Sequence, residues 1–145
     1  MLFRSFIYAA TTTRFALPEV TLGIMPGTGG TQNLPRAVGE RRAKELLLGG
    51  KPWSTEEALQ WGMVNRLYEP ATLLAEALAM AQAIAANAPI AVRQAKRAIH
   101  HGLSLSLADG MLFEIEAYNR MVPTEDRREG VLAFNEKRKP QFKGR

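Results

Sequence analysis

The chain has 145 residues, 46% of them hydrophobic and 23% charged, with a net charge of +5. That is enough apolar material for a modest core and too much for an unfolded polyelectrolyte. The lack of cysteine excludes a disulfide framework, thiolate catalysis and cysteine metal sites, and leaves His100 and His101 as the only imidazoles. No run of about eighteen apolar residues occurs. The opening MLFRSFIYAA is short, and Arg4 and Arg14 break the apolar stretch, so neither a membrane span nor a signal peptide is read there. A soluble protein, cytoplasmic or from an organellar matrix, is expected. The excess positive charge bunches at Glu40 to Lys44, Arg93 to Arg97 and Lys137 to Arg145, with no aromatic ladder between the basic residues. This pattern reads as solvated faces, with a phosphate-bearing small ligand as the functional alternative and nucleic acid disfavoured.

In chain order, Ser5 to Ala10 (SFIYAA) and Phe15 to Pro18 predict short strands, with a turn at Thr11 to Thr13. Thr31 to Leu48 carries helix formers with apolar residues at Leu34, Val38 and Leu46 to Leu48. Pro35 and Gly39 interrupt this stretch, which predicts two short helices ending at Gly49-Gly50. Ser54-Thr-Glu-Glu57 has the form of a capping box, opening a helix that runs to Trp61 and stops at Gly62. Met63 to Tyr68 then alternates as a strand does.

From Pro70 every element reads as helix. Leu73 to Ile84 carries an apolar stripe at Leu74, Ala77, Leu78, Ala81 and Ile84. A helix from Pro89 to about Gly102 turns Val92, Ala95 and Ile99 inward and Arg93, Lys96 and Arg97 to solvent. Ser106 caps the next, with apolar Met111, Ile115 and Tyr118, and Thr124 caps the last. That last helix has Glu125 and Asp126 in its first turn and Lys137 to Lys139 at its end, a distribution the helix dipole favours. Two parts are expected, a mixed region over residues 1–69 and an all-helical region over 70–145. The amphipathic helices need an apolar partner, which either another subunit or the first part can supply.

The stretch LPEVTLGIMPGTGGTQ places Glu19 among Leu17, Leu22 and Ile24. Such a carboxylate either turns to solvent or is partly desolvated, and a desolvated one can give and take a proton near neutral pH. Gly27-Thr-Gly29-Gly30 lacks the third glycine of a dinucleotide loop and the lysine of a phosphate loop. It is either a plain strand-to-helix turn or one that exposes backbone N–H groups at a helix start. His100 and His101 lie at a helix end without carboxylates arranged around them, so no metal site is read.

These stretches also carry a family likeness. RFALPEVTLGIMPGTGGTQNLPRAVG, AKELLLGG, STEEALQWGMVNRLYEP, ANAPIAVRQAKRAI and TEDRREGVLAFNEKRKPQFKGR, in that order, closely resemble the C-terminal half of the enoyl-CoA hydratase/isomerase (crotonase) superfamily. The resemblance implies an α/β fold, mostly α in this chain: the C-terminal portion of a ββα spiral core (1–69), then a helical trimerisation region (70–145). It also implies a homo-oligomer, either a trimer or a dimer of trimers, acting on an acyl-CoA thioester. No separate cofactor is implied, because coenzyme A is carried by the substrate.

In hydratases of this family two glutamates hold a water that adds across the 2,3 double bond, while two backbone N–H groups stabilise the thioester enolate. The FxxPE glutamate, assigned to proton transfer at the α-carbon, matches Glu19, and the PGxGG glycine that helps place the water matches Gly27. The aromatic residue and lysine of the terminal FxEKR element, placed near the adenine of coenzyme A and often across a subunit boundary, match Phe134 and Lys137. The family chain is nearly twice this length, and its first half carries the other glutamate, the enolate-binding amides and most of the pantetheine and nucleotide contacts. An isomerase working with one glutamate and a catalytically silent assembly module are the competing readings.

Overall fold

A computed structural model describes residues 5–145. Two compact units follow one another along the chain, the first ending at Leu78 and the second running from Ala79 to Arg145.

The first unit contains four short strands and three helices and opens a fourth. Strand β1 (Tyr8–Ala10) pairs in parallel with β4 (Arg66–Tyr68), with Ala9 opposite Leu67, and β2 (Arg14–Phe15) pairs antiparallel with β3 (Trp53–Ser54). Between the strands come α1 (Gly30–Val38), α2 (Glu40–Gly49) and α3 (Thr55–Gln60). The strands are shorter than SFIYAA and Phe15 to Pro18 predict. At the first, Ile7 is held through Asn65, whose side chain accepts its N–H at 2.8 Å and whose own N–H returns to the Ile7 carbonyl. At the second, Pro18 leaves the strand to begin a turn.

The break between α1 and α2 falls at Gly39, with φ 82°, and Pro35 stays inside α1, where Leu34 is buried and the Pro35 carbonyl accepts the Gly39 N–H at 2.9 Å. The capping box forms in full, Glu57 N–H donating to Ser54 Oγ and Ser54 N–H to Glu57 Oε2. Two apolar clusters fill the unit, Ala9, Trp53, Ala58 and Val64 in one and Leu34, Ala43 and Leu47 in the other. Leu17, Leu46 and Met63 pack against both and join them.

Helix α4 (Leu73–Ala85) carries the chain past the unit boundary. The second unit then holds α5 (Pro89–Gly102), α6 (Leu107–Asn119) and α7 (Glu125–Asn135), opened by Pro89 at the first position, Ser106 and Thr124 respectively. Two expectations are corrected here. Ile99 and Ala95 on α5 are exposed, whereas Arg97 is half-buried with its guanidinium over the Phe113 ring at 5.0 Å. The reason is the meeting of α5 and α6 at Gly102 and Gly110, where the backbones touch and the face between them is set by this approach. In addition, α7 stops at Asn135, so Lys137 to Lys139 lie beyond it and its last turn carries no base. The closing segment returns along α7 instead, held by Asp126 and Glu129.

Candidate active site

Leu17 is the anchor of the first site. Because it packs against both core clusters, the next residues must leave the sheet region, and they form a 3-10 turn over Glu19–Leu22. Thr21 closes this turn, donating from both its N–H (2.9 Å) and its hydroxyl (2.8 Å) to the Pro18 carbonyl, and Gly23 ends it with φ 74°. The turn rests on the end of α2 at Gly50, which has φ 60° and where an added Cβ would stand 2.9 Å from Thr21 Cγ2 and 3.4 Å from Val20 Cγ2. Gly50 therefore serves twice, supplying the left-handed conformation that ends the helix and the space in which Glu19's turn sits.

Glu19 is half-buried in this setting. Its Oε2 is sealed from solvent and accepts no hydrogen bond from the described residues. The donor Trp53 Nε1 and the acceptor Gln94 Oε1 are likewise buried without a partner, but Glu19 is the one ionisable group in the set. A shielded carboxylate oxygen without a donor is costly as structure, which leaves it open to a hydrogen bond from a bound ligand or water. Further along the chain Leu22, Ile24 and Met25 are exposed.

Gly27 lies exposed in the turn that follows, and an added Cβ there would meet nothing closer than the Met25 carbonyl at 4.0 Å. Gly29, with φ 86°, caps α1 without any side-chain hydrogen bond, so no side chain takes the first-turn N–H groups. Gly30 is a packing glycine: a Cβ would fall 2.7 Å from Pro26 Cβ. The run thus does two jobs, close packing at Gly30 and an uncapped helix start beside Gly27, where a polar ligand atom can be held.

Phe134 and Lys137 belong to the second unit and come together at the end of α7. Phe134 is 83% exposed, and Lys137 N–H donates to its carbonyl at 3.2 Å. An exposed aromatic ring one turn from an exposed ammonium suits a ligand with a flat base and a phosphate. Among the described residues no cluster of histidine and carboxylate side chains could hold a metal ion. No single described helix is long and apolar enough to cross a membrane.

Residues 1–145 match the family model described as enoyl-CoA hydratase/isomerase. The chain belongs to that family, and its α/β, helix-dominated fold matches solved crotonase-fold structures. It superposes on the enoyl-CoA hydratase of Bacillus anthracis with a TM-score of 0.95 at 45% identity, covering 97% of this chain and 55% of that one. It is 43% identical to the short-chain-enoyl-CoA hydratase of Clostridium acetobutylicum over 138 residues, 94% of this chain and 53% of the relative. To the 2,3-dehydroadipyl-CoA hydratase of Escherichia coli it is 40% identical over 139 residues, 96% of this chain and 54% of that protein. The chain spans about half the length of the curated relatives it matches.

Two residues that shape the site were missed in the sequence. Leu17 reads there as one more strand residue, and Gly50 as an ordinary helix stop; only the tertiary contact with Val20 and Thr21 gives Gly50 its second task.

Proposed function

We propose that this chain carries the proton-transfer half of an enoyl-CoA hydratase, which adds water to a 2-enoyl-CoA to form a 3-hydroxyacyl-CoA. In that reaction the hydroxyl goes to C3 and a proton to the α-carbon. Glu19 transfers the α-carbon proton, the N–H of Gly27 helps place the water, and Phe134 and Lys137 hold the nucleotide end of coenzyme A. The second carboxylate and the amides that stabilise the enolate come from the rest of the full-length enzyme, so the chain by itself turns over slowly. The observation that carries this reading is the sealed, unpartnered Oε2 of Glu19, with an uncapped helix start following eleven residues later in the chain. The names of the related hydratases support the substrate class.

The test joins this chain to the preceding half of the Clostridium acetobutylicum relative and follows loss of the conjugated thioester absorbance of 2-butenoyl-CoA. Glu19→Gln is expected to lower kcat by roughly 10²–10⁴-fold, with circular dichroism unchanged. Equal rates for the two proteins would overturn the role of Glu19. Migration of the double bond in a 3-enoyl-CoA without water uptake would assign the isomerase reaction instead.

Copies of the chain assemble, in the same reading, into a trimer or a pair of trimers through the second unit. Support comes from its large exposed apolar side chains, among them Leu103, Leu107, Leu112 and Ile115. A monomer in sedimentation at micromolar concentration would overturn this.

A further inference from the structure

Lys137 is the one residue other than glycine with positive φ among the described residues, at 53°. Its place explains why this matters. Glu136 is the C-cap of α7, Lys137 N–H donates to Phe134 O at 3.2 Å, and Arg138 N–H donates to Ala133 O at 3.0 Å. These two bonds form the helix-ending motif whose left-handed position is usually glycine, because a Cβ there crowds the following carbonyl. A lysine in this position keeps a conformation that glycine would take without strain, and strain of this kind persists only where neighbouring groups hold it.

The neighbouring groups are Arg138, Glu129, Glu136 and Asp126. Arg138 lays a two-pronged guanidinium on Glu129, with Nη1 to Oε1 at 2.6 Å and Nη2 to Oε2 at 2.9 Å, while its Nε bonds Glu136. Glu129 also accepts the Gln141 N–H at 2.8 Å, tying the returning segment to the same carboxylate. One turn of helix below, Asp126 is buried and accepts the N–H groups of Lys143 (2.6 Å) and Gly144 (2.8 Å). The residues on both sides of Lys137 are therefore fixed, by α7 before it and by the Arg138 fork after it. Lys137 and the Phe134 ring are both exposed, and the backbone bond from Lys137 N–H to Phe134 O joins the two residues at the end of α7.

We infer that Arg138, gripped by Glu129 and Glu136, is a positioning residue that holds Lys137 in its left-handed turn, so that the ammonium and the Phe134 ring are pre-set for the nucleotide end of an acyl-CoA. This rests on the proposed role of Phe134 and Lys137. Holding a long, mobile lysine stem before the ligand arrives lowers the ordering cost of binding. The fork suits the task because a guanidinium fixes direction as well as charge, which an ammonium does not.

The probe is free coenzyme A, titrated by calorimetry into the chain joined to the preceding half of the Clostridium acetobutylicum relative, so that no turnover is needed. Arg138→Gln and Glu129→Gln are each expected to weaken binding about tenfold, with Arg138→Lys between them and the parent because charge survives without the fork. Lys137→Gly separates positioning from simple support of the fold: relief of the left-handed strain raises the melting temperature while affinity falls about tenfold. Lys137→Ala distinguishes the two levels. If the unaltered joined protein does not bind coenzyme A, or Lys137→Ala in it binds as tightly as the parent, the nucleotide-end reading fails and takes this inference with it. If Lys137→Ala weakens binding but Arg138→Gln and Glu129→Gln do not, the inference alone is overturned. A Lys137→Gly protein that keeps full affinity also overturns it.

Discussion

Each unit shields a carboxylate, and the two are treated in opposite ways. Asp126 is 3% exposed and accepts two backbone N–H groups, so its burial is compensated and it fastens the closing segment to α7. Glu19 is half-buried, yet its Oε2 is sealed and unpaired. A satisfied buried carboxylate is a structural fastening, and an unsatisfied one is a site waiting for a partner. Burial alone would point to Asp126 as the more sequestered group; the hydrogen bonds show that Glu19 is the unsatisfied one.

The largest expected effect comes from exchanging the fates of the two groups. Glu19→Gln should remove about 10²–10⁴ of kcat in the joined enzyme and leave the melting temperature unchanged or higher, since no native hydrogen bond to Oε2 is lost. Asp126→Ala should do the reverse, leaving two donors without an acceptor at a cost of about 2–3 kcal/mol, read as a lower urea midpoint. If Glu19→Gln proves the more destabilising of the two, the distinction collapses.

Gly50→Ala tests whether the turn under Glu19 needs this exact seat. The added methyl meets Thr21 Cγ2 at 2.9 Å in a left-handed conformation, so a stability loss of about 1–3 kcal/mol is expected. A drop in kcat larger than that produced by an equally destabilising change elsewhere should accompany it. Ser54→Ala is a suitable comparison: it removes half of the capping box, costs about 1 kcal/mol, and should leave kcat unaltered.

A milder handle is acid. The Arg138 fork, and then the Gln141 N–H, lower the pKa of Glu129 from an ordinary 4.5 to about 2. A carboxyl with a depressed folded pKa contributes its stabilisation above the ordinary value and loses it as pH falls through the folded one. The fork should therefore be intact from neutral pH down to about 5 and fail between about 4.5 and about 2. The amide proton shift of Gln141 reads this directly: it should titrate near 2, and Glu129→Gln should abolish the titration. A midpoint near 4.5 would show that the fork does not grip Glu129 in solution.

Much of the architecture was legible before any coordinates. The starts at Ser54, Pro89, Ser106 and Thr124, and the order of short strands and helices, rest on interactions within three or four residues, which a linear pattern records. The family motifs likewise lie in contiguous stretches. Where the reading erred, burial or backbone conformation at the position itself had overridden the propensity pattern. Pro35 stayed inside α1 with Leu34 buried beside it, and Lys137 to Lys139 fell outside α7 because the left-handed Lys137 ends the helix while Arg138 turns back to Glu129.

By itself, then, the sequence determined the element order, the caps and the family, and narrowed the chemistry to Glu19 and the glycines after it. It left open whether Glu19 faces water. Where its turn sits was decided by Leu17 anchored in two clusters and by Gly50, thirty-one positions beyond Glu19, giving room to Val20 and Thr21. Desolvation and backbone strain depend on what surrounds a residue, and those surroundings come from segments far apart in the chain.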